Sequence, residues 1–377
     1  MQQSTRKQAF TLITTTMNLH IFNPEHEIAM ALNQRHVTAP HAVEELRMSL
    51  GWMPSLWAKD GDVVAVDDAA YAIKAANKQR NVAKADVLYL EKGDLVGQSF
   101  DNIIPWGWDK ALRTMLDERQ ITSPTMPTPE RIDQIRRLSS REMNAEAIKT
   151  IRSGIEDRTC GDAVSVRTLE DAVATIKEWN SNTVCKSPWS SSGRGIRWID
   201  NSHRLEAEER WIDSVLRHQG CVIIEPHYNK VRDFAMEFAI DGTGVRYCGL
   251  SLFHTYNGGY AGNIIASEEE KREIVERYIP ESLLITVRKR IVDYARQQLE
   301  GVYNGPFGVD MMVVGDKNGQ GFLLHPFVEM NLRRTMGHVA LDIRDAETGT
   351  KRVMRIRHNV NYYLKISDMD NNFVQVI

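Results

Sequence analysis

Between residues 234 and 240 the chain reads Phe-Ala-Met-Glu-Phe-Ala-Ile. Phe234, Met236, Phe238 and Ile240 alternate with Ala235, Glu237 and Ala239. Side chains of an extended chain point to opposite sides in turn, so this pattern requires a strand with one buried face. A second alternation organises the whole chain. Asn18–Asn23, Val63–Val66 and Val87–Leu90 read as short strands. Glu25–Leu32 and Ala69–Lys78 between them read as helices, which together indicate a parallel sheet covered by helices. Ile103–Pro105 adds a strand before the Trp106-Gly107-Trp108 turn, and Trp106 and Trp108 are read as core residues. Three of the twelve prolines fall at 124, 127 and 129 and mark a boundary.

Beyond the prolines, Glu130–Ile148 reads as helix. Thr168–Trp179 is a second one, with Thr168 and Asp171 at its start and Leu169, Val173 and Ile176 on one face. Short strands follow at Thr183–Lys186, Gly195–Ile199, Cys221–Glu225, Phe234–Ile240 and Val245–Phe253. Leu283–Leu299 is helical. Phe307–Val314 and Gly321–Met330 form a hairpin around Asp316-Lys317-Asn318-Gly319.

With 377 residues the chain is long enough for two or three domains. Lys plus Arg is 47 and Asp plus Glu is 50, a net charge of −3 that argues against coating nucleic acid or an anionic membrane. The longest uncharged run, Tyr247–Ser267, holds four glycines, two asparagines and a histidine and is too polar to span a bilayer. Cys160, Cys185, Cys221 and Cys248 form no Cys-x-x-Cys pair and no zinc spacing, which points to a reducing cytoplasm. Residues 1–17 read as a ragged extension.

Three stretches carry chemistry. In the first, Lys186 ends a strand. Ser187-Pro188-Trp189-Ser190-Ser191-Ser192-Gly193-Arg194-Gly195 follows, and another strand begins at Ile196. Small residues let backbone N–H groups converge on an anion, and hydroxyls and lysine add charge-assisted hydrogen bonds. The loop has no Gly-Lys-Ser/Thr ending and opens no helix, so it is neither a Walker A loop nor a dinucleotide fingerprint; an ordinary flexible hairpin is the alternative. In the second, Glu329 and Asn331 are two apart and share one face of an extended chain, with Asp310 roughly opposite across the hairpin. Two carboxylates and an amide are hard oxygen ligands suited to Mg2+ shared with nucleotide phosphates. A solvated acidic face is the alternative reading. In the third, the apolar strand Ile223-Ile224-Glu225 runs out into Pro226-His227-Tyr228-Asn229-Lys230, followed by Arg232-Asp233. Glu25-His26-Glu27 lacks the second histidine of a metalloprotease motif, and Asp233-Phe234-Ala235 lacks the glycine of the kinase metal motif. His20, His26 and His338 are read as structural. His254–Asn263, glycine-rich with hydroxyl and amide groups, is read either as a loop closing on an acceptor substrate or as a plain surface loop.

In this order the three stretches resemble the ATP-grasp superfamily over roughly residues 130–365, and the preceding α/β region resembles the pre-ATP-grasp domain. The pattern Glu329-Met330-Asn331-Leu332-Arg333 is its most specific part. Phe22-Asn23-Pro24-Glu25 is similar to a first-strand motif in a group of bacterial ATP-grasp proteins. The resemblance implies an α/β (α+β) fold: two α+β subdomains clasp ATP behind a Rossmann-like domain. It implies a division into 1–124, 125–220 with the glycine-rich loop, and 221–377 with the metal site. It further implies that Lys186 contacts ATP phosphates and that Ser190, Ser191, Ser192, Gly193, Arg194 and Gly195 cover them. Glu225, Pro226 and the backbone around His227 meet adenine, and Asp233 meets ribose. Asp310, Glu329 and Asn331 hold Mg2+ or Mn2+, and Arg333 stabilises the transferred phosphoryl. Arg141 is the candidate for a further basic residue, and the separation of Asp310 from Glu329 is longer than usual for the family. The expected activity is ATP-dependent joining of a small carboxylate to an amine through an acyl phosphate, with homodimers common in the superfamily. A phosphotransferase and a non-catalytic nucleotide binder are the alternatives.

Overall fold

The computed structural model describes residues 16–179, 181–190, 195–200, 206–256, 259–316, 319, 321–343 and 351–369. The elements form three sheets, each built from one stretch of the chain.

The first sheet contains β1 (Asn18–Ile21), β2 (Val63–Val66), β3 (Leu88–Glu91) and β4 (Asn102–Pro105), all parallel, in the order β3-β2-β1-β4. Helices α1 (His26–Leu32) and α2 (His41–Leu50) separate β1 from β2, α3 (Ala69–Lys78) separates β2 from β3, and α4 (Lys110–Glu118) follows β4, while β3 and β4 are joined without a helix. Strand order reverses between β1 and β4. In an open parallel sheet that is where a crevice opens at the carboxyl ends. A cavity of about 270 Å3 lies at this edge, with Phe22, Asn23, Glu25, Arg47 and Asp67 in its wall. Trp106 and Trp108 are both buried, and Trp106 meets Phe22 edge-on at 5.1 Å.

Residues 130–148 do not form one helix. Instead α5 (Pro129–Leu138) ends, a short 3-10 turn covers Arg141–Met143, and α6 (Asn144–Arg152) begins. Ser140 causes the break, because its hydroxyl accepts the backbone N–H of Glu142 and competes with helix continuation. The second sheet is antiparallel, β5 (Val164–Val166), β6 (Thr183–Lys186), β7 (Ile196–Ile199) and β8 (Val222–Pro226), in the order β5-β8-β6-β7. It is covered by α7 (Leu169–Glu178) and by α8 (Glu206–Gln219), a helix the sequence reading passed over. Thr168 caps α7 through the Asp171 N–H, as expected.

The third sheet has seven antiparallel strands in the order β13-β12-β9-β10-β11-β14-β15. They are β9 (Lys230–Asp241), β10 (Gly244–Tyr256), β11 (Gly259–Ile265), β12 (Gly305–Gly315), β13 (Phe322–Asn331), β14 (Arg352–His358) and β15 (Tyr362–Asp368). Helices α9 (Glu268–Glu276), α10 (Glu281–Leu299) and α11 (Met336–Asp342) complete the chain. The stretch His254–Asn263, read as either a substrate-closing loop or a plain surface loop, is mostly the end of β10 and the start of β11, paired as a hairpin; residues 257 and 258 lie outside the described residues. The β14–β15 hairpin and α11 had no sequence reading at all.

The alternation seen in the sequence holds. Phe234, Met236, Phe238 and Ile240 join Val309, Met311, Val313, Leu324 and Phe327 in one buried cluster against α10 residues such as Val287 and Ile291. Phe238 and Phe307 stack with centroids 5.2 Å apart. No helix among the described residues is long and apolar enough to cross a membrane.

Phe238 is fully buried. Phe238→Ala is expected to lower unfolding free energy by about 3–5 kcal/mol, lost transfer energy plus an unfilled cavity. Urea unfolding checks this, and a cost below ~1 kcal/mol would place Phe238 outside the tightly packed core.

Candidate active site

The opposite face of the third sheet carries the polar residues. In the register of β9, β12 and β13, Asp310 faces Ala235 on one side and Glu329 on the other, and Met312 faces Asp233 and His325. Two residues of β12 thus span four of β13, from Glu329 back to His325, with an irregularity in the ladder between them. This bulge takes up the extra length noticed in the sequence and brings Glu329 directly opposite Asp310. Asn331 donates its amide N–H to Asp310 Oδ2 at 3.2 Å. The expected trio is assembled.

Asp310 is half-buried, and desolvation followed by the nearby Glu329 carboxylate pushes its pKa up to about 7. Two carboxylates this close repel each other in a poorly solvated place, and a divalent cation relieves that. No group of three His, Cys, Asp or Glu side chains suited to a metal occurs among the described residues. The donor set here is two carboxylates and an amide. That set fits Mg2+ or Mn2+ that takes its remaining ligands from phosphate oxygens and water.

Lys186 ends β6, with Ile223 of β8 opposite and Glu225 two residues further along on the same face. Its ammonium donates to Glu225 Oε2 at 2.6 Å, and both residues are buried. Glu225 Oε1 is buried with no hydrogen-bond partner among the described residues. An unsatisfied buried carboxylate oxygen is costly, and an amino donor such as that of adenine would satisfy it. The His227 backbone N–H is already committed to Asn182 O at 2.9 Å, so it is not free for a base, and Pro226 has no N–H to offer. Asp233 accepts from Lys230 Nζ at 2.6 Å and from Thr255 Oγ1 at 2.9 Å. Of the glycine-rich loop, Ser190 and Gly195 are described, whereas Ser191, Ser192, Gly193 and Arg194 lie outside the described residues.

Arg141 binds these parts together. Its guanidinium donates to Ser187 O (2.9 Å), to Ser190 Oγ (2.7 Å) and O (3.2 Å), and to Glu329, whose Oε1 is 2.8 Å away. The start of the glycine-rich loop is thereby tied to the acidic strand. Arg333 follows the strand. Its Nη2–H donates to Asn331 Oδ1 at 3.0 Å, and its Nε–H donates to Glu27 of α1.

Sequence reasoning missed three residues. Glu27 was read only as part of a failed metalloprotease pattern. His325 is buried with both ring nitrogens unpartnered among the described residues, and burial lowers its pKa to about 3. The sole trace of it in the sequence was a histidine inside an apolar strand. The third is Glu237, the one carboxylate in the alternating stretch. It lies under α11 beside Thr335, Ser251 and His338, with Gly337 above it, where a Cβ would overlap Glu237 Oε1. Burial pushes its pKa up to about 8. His338, read as structural, is so here. Its Nε2–H donates to Phe238 O at 3.0 Å, and its Nδ1 accepts the Thr335 N–H at 3.2 Å. Because Nδ1 then carries no proton, its 3.0 Å approach to Glu237 Oε2 needs the proton on Glu237. Burial lowers the His338 pKa to about 3, in agreement with a neutral ring.

No protein-family model matches the chain, and no curated protein matches it. Solved structures do. Biotin carboxylase from Campylobacter jejuni, in a β-γ-ATP complex, superposes with a TM-score of 0.52 at 14% identity, covering 91% of this chain and 76% of that one. The biotin carboxylase domain of Hydrogenobacter thermophilus 2-oxoglutarate carboxylase, with MgADP, ADP and bicarbonate, gives 0.50 at 15% identity, over 90% and 74%. N5-carboxyaminoimidazole synthetase from Staphylococcus aureus, complexed with ADP, gives 0.49 at 13% identity, over 93% and 85%. The chain has the ATP-grasp fold, preceded by an N-terminal α/β domain.

Glu237 yields a pH prediction. Its folded pKa of about 8 lies above the ordinary 4.5. Between those values the folded protein holds a proton that the unfolded chain releases, so this group's contribution to stability falls as pH rises through the window. Glu237→Gln is expected to flatten that fall and to be more stable than the parent at pH 8 than at pH 5, relative to each. Urea unfolding at both pH values decides it; an equal difference at the two would mean that Glu237 is ionised.

Proposed function

We propose that this protein is an ATP- and Mg2+-dependent ligase that joins a small carboxylate to an amine. The observation that carries the proposal is that Asp310, Glu329 and Asn331 share one polar face of the third sheet, joined there by Arg333 after β13 and by Arg141 of the 3-10 turn, which also holds the loop that follows Lys186 of β6. The ATP-grasp fold supports the reading, and the three-part division at 1–124, 125–220 and 221–377 belongs to it.

In this reading Lys186 and Arg141 hold the ATP phosphates beneath Ser190–Gly195, and Glu225 takes the adenine amino group with its free oxygen. Asp233 meets the ribose. Asp310, Glu329 and Asn331 hold Mg2+, which when bound neutralises charge on the phosphate oxygens. A carboxylate resists attack by an amine because its oxygen leaves poorly. Phosphorylation supplies a good leaving group, and the Arg333 guanidinium offsets charge as the phosphoryl moves. The acceptor binds between Arg333 and the N-terminal domain, whose α1 reaches this point.

A screen of small carboxylates and amines with phosphate detection tests the proposal. A ligase releases free phosphate only when acid and amine are both present. ADP formed without free phosphate would identify a phosphotransferase instead, and no turnover together with nucleotide binding would identify a binder.

Two variants sharpen the assignment. Lys186→Ala should abolish most of the thermal stabilisation by MgATP, which is ~2.7 kcal/mol at a hundredfold excess over Kd, while leaving the unliganded protein folded. Unfolding would make Lys186 structural. Glu329→Gln should keep the fold and lower turnover by orders of magnitude, because a metal ligand is lost. Wild-type turnover would remove the metal site from Glu329.

A further inference from the structure

We infer that Glu27, on the first turn of α1 in the N-terminal domain, is a positioning residue that orients the Arg333 guanidinium for phosphoryl transfer. This rests on the reaction proposed above. The two residues are 306 apart in the chain, and the Glu27 Oε1 accepts the Arg333 Nε–H at 2.5 Å. A guanidinium has five N–H groups in one rigid plane. Three have partners: Nε–H on Glu27, one Nη2–H on Asn331 Oδ1 at 3.0 Å, and one Nη1–H on Arg334 O at 3.2 Å. Among the described residues this leaves one N–H on each terminal nitrogen for a phosphoryl oxygen. Glu27 holds the Nε–H, which stops the plane from turning about the side chain, so it sets where those free groups aim.

The anchor is itself rigid. The Asn23 amide donates to Gly107 O at 2.9 Å and accepts the Gly107 N–H at 3.3 Å. The His26 ring packs so closely under Gly107 that a Cβ there would come within 2.7 Å of it. The His26 Nδ1 meets Asp109 at 3.2 Å. On the other side, Asn331 passes the connection to Asp310. A continuous line runs Glu27, Arg333, Asn331, Asp310, from the N-terminal domain into the metal strand. Glu27 stays ionised within it: burial opposes the charge, and the Arg333 guanidinium outweighs burial, so its pKa is lowered.

A simple tie between domains would show only in stability. A positioning residue shows in transfer. The probes are MgADP alone and MgADP with aluminium fluoride, which mimics the phosphoryl in flight. In Glu27→Ala, MgADP affinity should match the parent, and affinity for the fluoride complex should fall about tenfold or more. With an acid and amine that turn over, kcat should fall by about a hundredfold with the KM for ATP nearly unchanged, as for a misaimed catalytic group. Glu27→Gln keeps an oxygen to accept the Nε–H and should recover much of both. Equal fluoride-complex affinity in parent and Glu27→Ala overturns the inference. So does a parallel loss of MgADP affinity and melting temperature without recovery in Glu27→Gln. A parent that binds the fluoride complex no better than MgADP sinks the transfer reading itself, and the inference with it. Tight fluoride-complex binding lost in Glu27→Ala, with no acid and amine found, upholds Glu27 and leaves only the ligase reading to fall.

Discussion

The two-residue alternation of β9, β12 and β13 is the constraint on which the molecule depends. One parity of residues is driven under α10, and the other is thereby forced onto the opposite face, which holds Glu237 beneath α11 and Glu329 against Arg141. A slip of one residue would bury Asp310 and Glu329 in the core and expose Phe238 and Val309. The register is therefore enforced by burial far from the polar face, and the site inherits it. Between β12 and β13, the bulge opposite Asp310 and Met312 is the one departure from simple pairing. It brings a carboxylate opposite a carboxylate, an arrangement that like-charge repulsion disfavours unless something binds there.

The cations of the site are each matched to an acid from another element: Lys186 to Glu225, Arg141 to Glu329, Arg333 to Glu27. Burying an unpaired charge costs several kcal/mol, so the pairs let these groups sit out of water before any phosphate arrives. The pairs also join the parts. Arg141 belongs to the segment before the second sheet and Glu329 to the third sheet, whereas Glu27 comes from the first.

Much of this was legible in the sequence, and the reason differs by residue. Glu329 and Asn331 could be placed on one face because they are two apart in a strand, whereas simple hairpin register would set Asp310 opposite Phe327 and only the bulge brings Glu329 there. Lys186 and Glu225 could be placed because both end apolar strands. Arg141 was a weak candidate, since nothing local says that a 3-10 turn will carry it to Glu329. Glu27 was invisible: its partner is 306 residues away, and only the docking of the first sheet brings them together. Glu237 was in plain view as the odd residue of an apolar stretch. The pattern could say that it faces away from the core, but not that α11 would cover that face. Helix Glu130–Ile148 failed because composition favoured helix throughout while a single serine hydroxyl broke it.

Glu27 and Glu237 are two covered carboxyls near the same guanidinium, yet they differ in charge. Glu27 touches Arg333, and that contact overcomes the cost of burial. Glu237 has Thr335, Ser251 and a neutral imidazole for neighbours, which offer hydrogen bonds but no cation in contact, so burial prevails and it is protonated. Arg333 already lies in the field of Glu27, Glu329 and Asp310, and a neutral Glu237 adds no further anion to that set. The glycine at 337 makes this possible, because it lets α11 close over Glu237 and exclude the water that would otherwise ionise it.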